Sequence, residues 1–211
     1  MFELEYKGGN TVVIATKKAS LVTDPRQSVV GLKDLVVKNA IELATEARFA
    51  LDSETARLSL EGPGDYEVAD FSIRGIAAQR HLDAETDELV ATIYRIEIGE
   101  VRLALIGNIF GKLSEEQLET LGVVDIVIIP VGGGGYTLDG TAAAALVRLI
   151  GPKVVIPVHY ADKALKYEVP QDELATFIGE LGAPVETVPK YKVKSMATLP
   201  PTLTLIEVTR S

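Results

Sequence analysis

Apolar and polar positions alternate in short runs along the first hundred residues, then give way to longer apolar blocks. From Phe2 to Asp24 the runs "FELEY", "TVVIAT" and "SLVTD" are rich in β-branched and aromatic residues, with a glycine turn at Lys7 to Asn10 between the first two. This pattern predicts an antiparallel meander. The stretch from Gly31 to Leu51 mixes apolar runs with good helix formers and shows no clean period, so its structure stays open. Two further strands are expected at Arg57 to Leu60 and Val68 to Ile76, punctuated by Gly62-Pro63-Gly64-Asp65. "ELVATIYRIEIGEVRLALIG" then reads as a strand, a turn at Gly99-Glu100 and a second strand.

The second half changes rhythm. Ser114 opens a helix through a capping box with Gln117, and Gly122 closes it. "VVDIVIIPV" has the continuous apolar character of a buried strand, and either Thr137 or Asp139 can cap the helix "GTAAAALVRLI", which stops at Gly151-Pro152. "KVVIPVHY" is another buried strand, ending at His159; "PQDELATFIGELG" gives a third helix and "TLTLIEV" a last strand. No linker or sustained repeat divides residues 1–211, so a single domain with layered sheets flanked by helices is expected.

Composition narrows the functions open to such a domain. With 47% hydrophobic residues in 211, the chain can bury a large core, while a formal charge of −9 disfavours nucleic acid and anionic membrane surfaces as partners. No apolar stretch approaches the ~20 residues needed to span a bilayer, and the N-terminus has no signal-like pattern. There is no cysteine, which fits a cytoplasmic location and confines any transition-metal site to His, Asp or Glu. Only two histidines exist, His81 and His159.

The candidate chemistry lies at strand ends. The four glycines after "IIPV", Asn108 after "VRLALIG" and His159 after "KVVIPV" each follow an apolar strand, and such ends commonly converge on one rim in α/β architectures. Each also has a plainer reading. The glycine run lacks the Lys-Ser or Lys-Thr of a phosphate loop, a lone histidine after a strand is often a satisfied rim residue, and Asp24 before Pro25 reads as a turn residue.

Taken together, "LVTDP" at 21–25, "GPGDYEV" at 62–68, "SIRGIAA" at 72–78 and the long block at 111–160 ending in "VIPVHY" resemble the metallo-β-lactamase superfamily. The likeness is strongest to its short branch of metal-dependent hydrolases related to ascorbate-phosphate lactonases. The resemblance implies an α+β fold, a four-layer αββα sandwich with a metal site on one edge. It also implies metal ligands from a His-x-His-x-Asp-His motif, a middle His, a bridging Asp and a final His. Two such ions would activate water and polarise a scissile bond. The glycine run, with Gly132 and Gly133, would approach the same edge.

This chain departs from that pattern where the chemistry would sit. No histidine lies between Asp24 and His81, so the His-x-His-x-Asp-His motif is absent. Asn108 stands where the resemblance places the bridging aspartate, and an amide is a poorer ligand than a carboxylate. "GGN" at 8–10 differs from the Gly-His common after the first strand. The expectation is therefore a vestigial pocket of Asp24, His81, Asn108, Gly132, Gly133 and His159. No cofactor is expected, and the protein is expected to act as a non-catalytic binding or assembly module. The alternative is a hydrolase of a small ester, lactone or phosphoester with one divalent ion such as zinc on His81 and His159, completed by Asp24, Glu67 or Asp83. Self-association as a homo-oligomer, through residues 31–51, is a further expectation; no partner is identifiable.

Overall fold

A computed structural model describes residues 1–83 and 88–211. The strands are β1 (Phe2–Gly8), β2 (Thr11–Ala15), β3 (Ser20–Thr23), β4 (Ile41–Ala44), β5 (Leu58–Glu61), β6 (Gly64–Val68), β7 (Phe71–Ala78), β8 (Ala91–Ile98), β9 (Val101–Leu105), β10 (Ile126–Pro130), β11 (Val154–Val158), β12 (Val185–Val188), β13 (Tyr191–Val193) and β14 (Thr204–Val208). They form a six-stranded sheet, β13-β1-β2-β3-β4-β5, and an eight-stranded sheet, β12-β14-β11-β10-β9-β8-β7-β6. The α-helices are α1 (Glu115–Leu121), α2 (Gly140–Ile150) and α3 (Leu174–Leu181).

Alternation along β1 turns Phe2, Leu4 and Tyr6 inward, where they join Ile14, Leu21, Ile41 and Leu43 across from Tyr94, Ile96, Leu103, Ile128 and Ile156 of the other sheet. This is the inter-sheet core. β10 and β11 are apolar on both faces because both faces are covered. Ile126, Ile128, Val154 and Ile156 face the inter-sheet core, while Val127, Ile129 and Val155 pack with Ala143, Leu146, Val147 and Phe177 of α2 and α3. The expected α+β sandwich of two face-to-face sheets is realised, with all three α-helices on the outer side of the larger sheet, so that the outer helical layer expected over the smaller sheet is replaced by loop. Over the smaller sheet the cover is loop and 3-10 turns: on β4, outward-facing Glu42 is buried and accepts hydrogen bonds from Ser53 and Ser59.

The predicted meander holds, β1–β2 and β2–β3 being antiparallel. So do the Ser114–Gln117 capping box and the stop at Gly122. Of the two candidate caps for α2, Asp139 does the work, accepting from Ala142 N at 2.8 Å, whereas Thr137 is buried with its Oγ1 unpartnered. The strand expected at 68–76 starts only at Phe71, as β7, because Ala69 takes φ 59° and turns the chain there, and Gly64 and Asp65, expected in a loop, open the additional strand β6. The 31–51 segment is mostly irregular, with β4 as its one strand and a 3-10 turn at Ala47–Phe49. Residues 40–46 are buried and Val36 is exposed, so most of the apolar content proposed for self-association is internal. β12 and β13, of four and three residues, are too short to show an alternation that could be read from sequence.

Candidate functional site

At one end of the sandwich, the β1–β2 turn and the residues just past β4, β9 and β11 meet. Each contributes one buried polar side chain: Asn10, Glu46, Asn108 and His159. They form an unbroken hydrogen-bonded chain that crosses from one sheet to the other. His159 Nδ1 lies 3.1 Å from Asn10 Oδ1, Asn10 Nδ2 donates to Asn108 Oδ1 at 3.0 Å, and Asn108 Nδ2 donates to Glu46 Oε1 at 3.0 Å. Glu46 Oε2 is 3.2 Å from Arg48 Nε and 3.5 Å from Arg80 Nη1.

The direction of this chain is set at the Glu46 end. An ionised carboxylate only accepts, so Asn108 must turn its NH₂ toward Glu46 and its oxygen toward Asn10. Asn10 must then present its oxygen to His159, whose Nδ1 carries the proton. The consequence is a neutral imidazole with its Nε2 lone pair directed away from the chain. Burial, and secondarily the Arg48 charge, pull the His159 pKa down to about 3. The ring is stacked on Tyr167 with centroids 4.7 Å apart. His159 takes φ 50°, and its backbone N–H is tied to Gly9 O at 2.9 Å.

Asp24 is buried beside this centre without joining the chain. Its two oxygens accept from Thr45 N and Thr45 Oγ1, each at 2.7 Å. Burial raises its carboxyl to about 7, against the lowering effect of those two bonds. Gly107 is required where the β9 end passes this segment: it has φ 66°, and a Cβ there would lie 2.8 Å from Thr45 Cβ.

The glycine run supports the same edge from the side. A Cβ on Gly132 would run into the His159 carbonyl oxygen and the Gln171 side chain, and one on Gly133 (φ 64°) would press on Asp139 and Asp172. Bare backbone lets the 160–172 loop lie directly over 132–134, held by Asp172 N donating to Gly132 O at 2.7 Å. The glycines are therefore packing residues that seat a loop.

Of the residues predicted for the pocket, Asn108 and His159 lie in the chain itself, and Asp24, Gly132 and Gly133 adjoin it. His81 reaches it only through its backbone, donating to Asn108 O at 2.9 Å, and its Nδ1 is buried without a partner. Glu67 sits on β6, at the far edge of the larger sheet. The Asp83 side chain lies outside the described residues, as do residues 84–87. Asn10 was visible only as a departure from Gly-His. Glu46, Arg48 and Tyr167 were missed because they fall in loops whose position no local pattern reveals.

The fold and this edge define a metallo-β-lactamase sandwich. A profile described as the β-lactamase superfamily domain matches residues 3–159, and the chain belongs to that family. It is 35% identical over 68 residues to a UPF0173 metal-dependent hydrolase from Thermococcus onnurineus, and 35% identical over 63 residues to a UPF0173 protein from Pyrococcus abyssi. Those alignments span 32% and 30% of this chain and 30% and 29% of the relatives. In three dimensions it resembles a metallo-β-lactamase superfamily protein from Thermotoga maritima, with TM-score 0.77, 19% identity, and coverage of 99% of this chain and 100% of that one. It also resembles Igni18, a metallo hydrolase from Ignicoccus hospitalis, with TM-score 0.66, 16% identity and coverage of 99% and 95%. At these identities the structural likeness speaks for the fold.

The residues at the edge do not fit the dinuclear metal centre that the family implies. Among the described residues no three His, Cys, Asp or Glu side chains lie close enough together to hold a metal ion. The amide oxygens of Asn10 and Asn108 are both already engaged as acceptors within the chain.

Proposed function

We propose that this protein is a metallo-β-lactamase-fold member whose metal edge has been rebuilt as a hydrogen-bonded protein centre, and that it acts as a non-catalytic binding or assembly module. The observation that carries the reading is the chain His159–Asn10–Asn108–Glu46, with its two arginines at the acidic end. It engages His159 Nδ1, the amide oxygens of Asn10 and Asn108 and the Glu46 carboxylate with one another and with the arginines, leaving His159 Nε2 alone where a metal needs several ligand atoms. It also neutralises the one buried carboxylate of the chain, which satisfies the requirement for pairing a buried charge.

The test is a calorimetric zinc titration of the full chain after chelator treatment, run beside turnover assays on simple esters, lactones and phosphoesters. The expected result is no binding at micromolar zinc and no turnover. Stoichiometric zinc uptake with chelator-sensitive hydrolysis that His159→Ala abolishes would establish the mononuclear hydrolase instead.

A further inference from the structure

Directly above His159 three loops close over a small cavity. Arg48, in the 3-10 turn that follows β4, places its guanidinium 4.6 Å from the Phe49 ring centroid and 5.1 Å from that of Tyr136. Glu168, from the loop seated on the glycines, accepts a hydrogen bond from the Tyr136 hydroxyl and lies 3.9 Å from Arg48 Nη1. Beneath this latch the cavity measures about 20 Å³, room for one water, and His159, Val30 and Phe49 are among its walls.

We propose that this cavity is the latched form of a binding site for a short hydroxycarboxylate, in which Glu168 stands where the ligand carboxylate would go. Three observations specify the ligand. The protein's own carboxylate already rests on Tyr136 and on Arg48 Nη1, so a hydroxyl and a guanidinium stand ready for an anion while Arg48 Nε stays on Glu46. His159 is almost wholly buried, and its Nε2, which no described residue contacts by hydrogen bond, can only accept. The group that meets it must therefore donate, as a hydroxyl does. Among the remaining walls, Val29, Val30, Phe49 and Val169 suit a short carbon skeleton, while Tyr167 and Gln171 add polar groups beside it.

Glu168 is the movable part: 59% of its side chain is exposed, so it can swing to solvent without unfolding its loop. An entering carboxylate takes its place on Arg48 and Tyr136, and the ligand hydroxyl reaches His159. The neutral histidine contributes no charge to this recognition, which divides the work cleanly between Arg48 for the anion and His159 for the hydroxyl.

This inference rests on the non-catalytic reading of the edge, and its test is made on chelator-treated full-length protein, so the zinc titration above judges that reading separately. Glycolate and lactate are compared with acetate and propionate, which keep the carboxylate and lack the hydroxyl, while the His159 imidazole resonances are followed by NMR. Lactate is expected to shift His159 and to bind about tenfold more tightly than propionate, the cost of leaving a buried acceptor unmet. Glu168→Gln weakens the latch and is expected to tighten lactate binding several-fold; Arg48→Met is expected to abolish it. Equal binding of lactate and propionate would overturn the proposal, as would His159 signals that stay fixed with all four probes in both the native chain and Glu168→Gln.

Discussion

A carboxylate at position 108 would face Glu46 at hydrogen-bond distance inside the protein, and any solution alkaline enough to strip the proton they share would leave two like charges buried together. Asn108→Asp therefore loses the donor that now satisfies Glu46 Oε1 and adds a like charge. It is expected to destabilise the fold by about 3–5 kcal/mol at pH 8, the usual cost of breaking a buried pair. Denaturant unfolding would measure it, with partial recovery at low pH where one carboxyl is protonated. Asp24 and His159 make a second prediction. With its carboxyl raised to about 7, folded Asp24 holds a proton that the unfolded chain has lost above ~3.9, so its contribution to stability falls as pH rises from 4 to 7. With its pKa lowered to about 3, folded His159 lacks a proton that the unfolded chain takes up below ~6.5, so its contribution falls as pH drops from 6.5 to 3. Between pH 4 and 6.5 the two slopes oppose. Asp24→Asn removes one of them, and stability should then decline toward acid by up to ~1.4 kcal/mol per pH unit, read from unfolding curves at several pH values. At this scale the sequence disclosed Asn108 and His159 because each ends an apolar strand. It hid Glu46, since a glutamate followed by Ala-Arg in a stretch without period looks like any solvated loop residue until β4 brings it inside.

Elements were legible where one local rule governed them. The capping box at Ser114, the glycine turn at 8–10 and the all-apolar β10 and β11 could be read directly, because caps, turns and two-sided burial leave marks within a few residues. β13 leaves none, since it exists only by pairing with β1 nearly two hundred residues away. The glycine run shows how one local pattern can serve a distant element. Gly151, at φ 68° with open space around it, reports on backbone conformation alone, and Gly151→Ala should cost ~1–2 kcal/mol. Gly132 has no such φ, and its substitution should cost ~1–3 kcal/mol through displacement of the 160–172 loop. Thermal unfolding compares the two, and faster amide exchange near Asp172 in Gly132→Ala alone would locate the damage.

For the whole molecule, the sandwich was readable from the order of its motifs, while the fate of its metal edge depended on contacts between residues up to 149 positions apart. Size and topology also bear on how the chain is made. β1 leaves the ribosome nearly two hundred residues before its neighbour on the open side, β13. Through that interval the rim of the smaller sheet is an unpaired strand, a template for joining other nascent chains. Glu3 and Glu5 guard it: two copies of β1 repel while the rim is bare, and Lys190 and Lys192 then pair with the same carboxylates once β13 docks. Surface pairs of this kind add little to the finished fold. Replacing both glutamates by valine should leave denaturant midpoints nearly unchanged while raising light scattering during refolding, so that these charges act on the yield of the protein and scarcely on its stability.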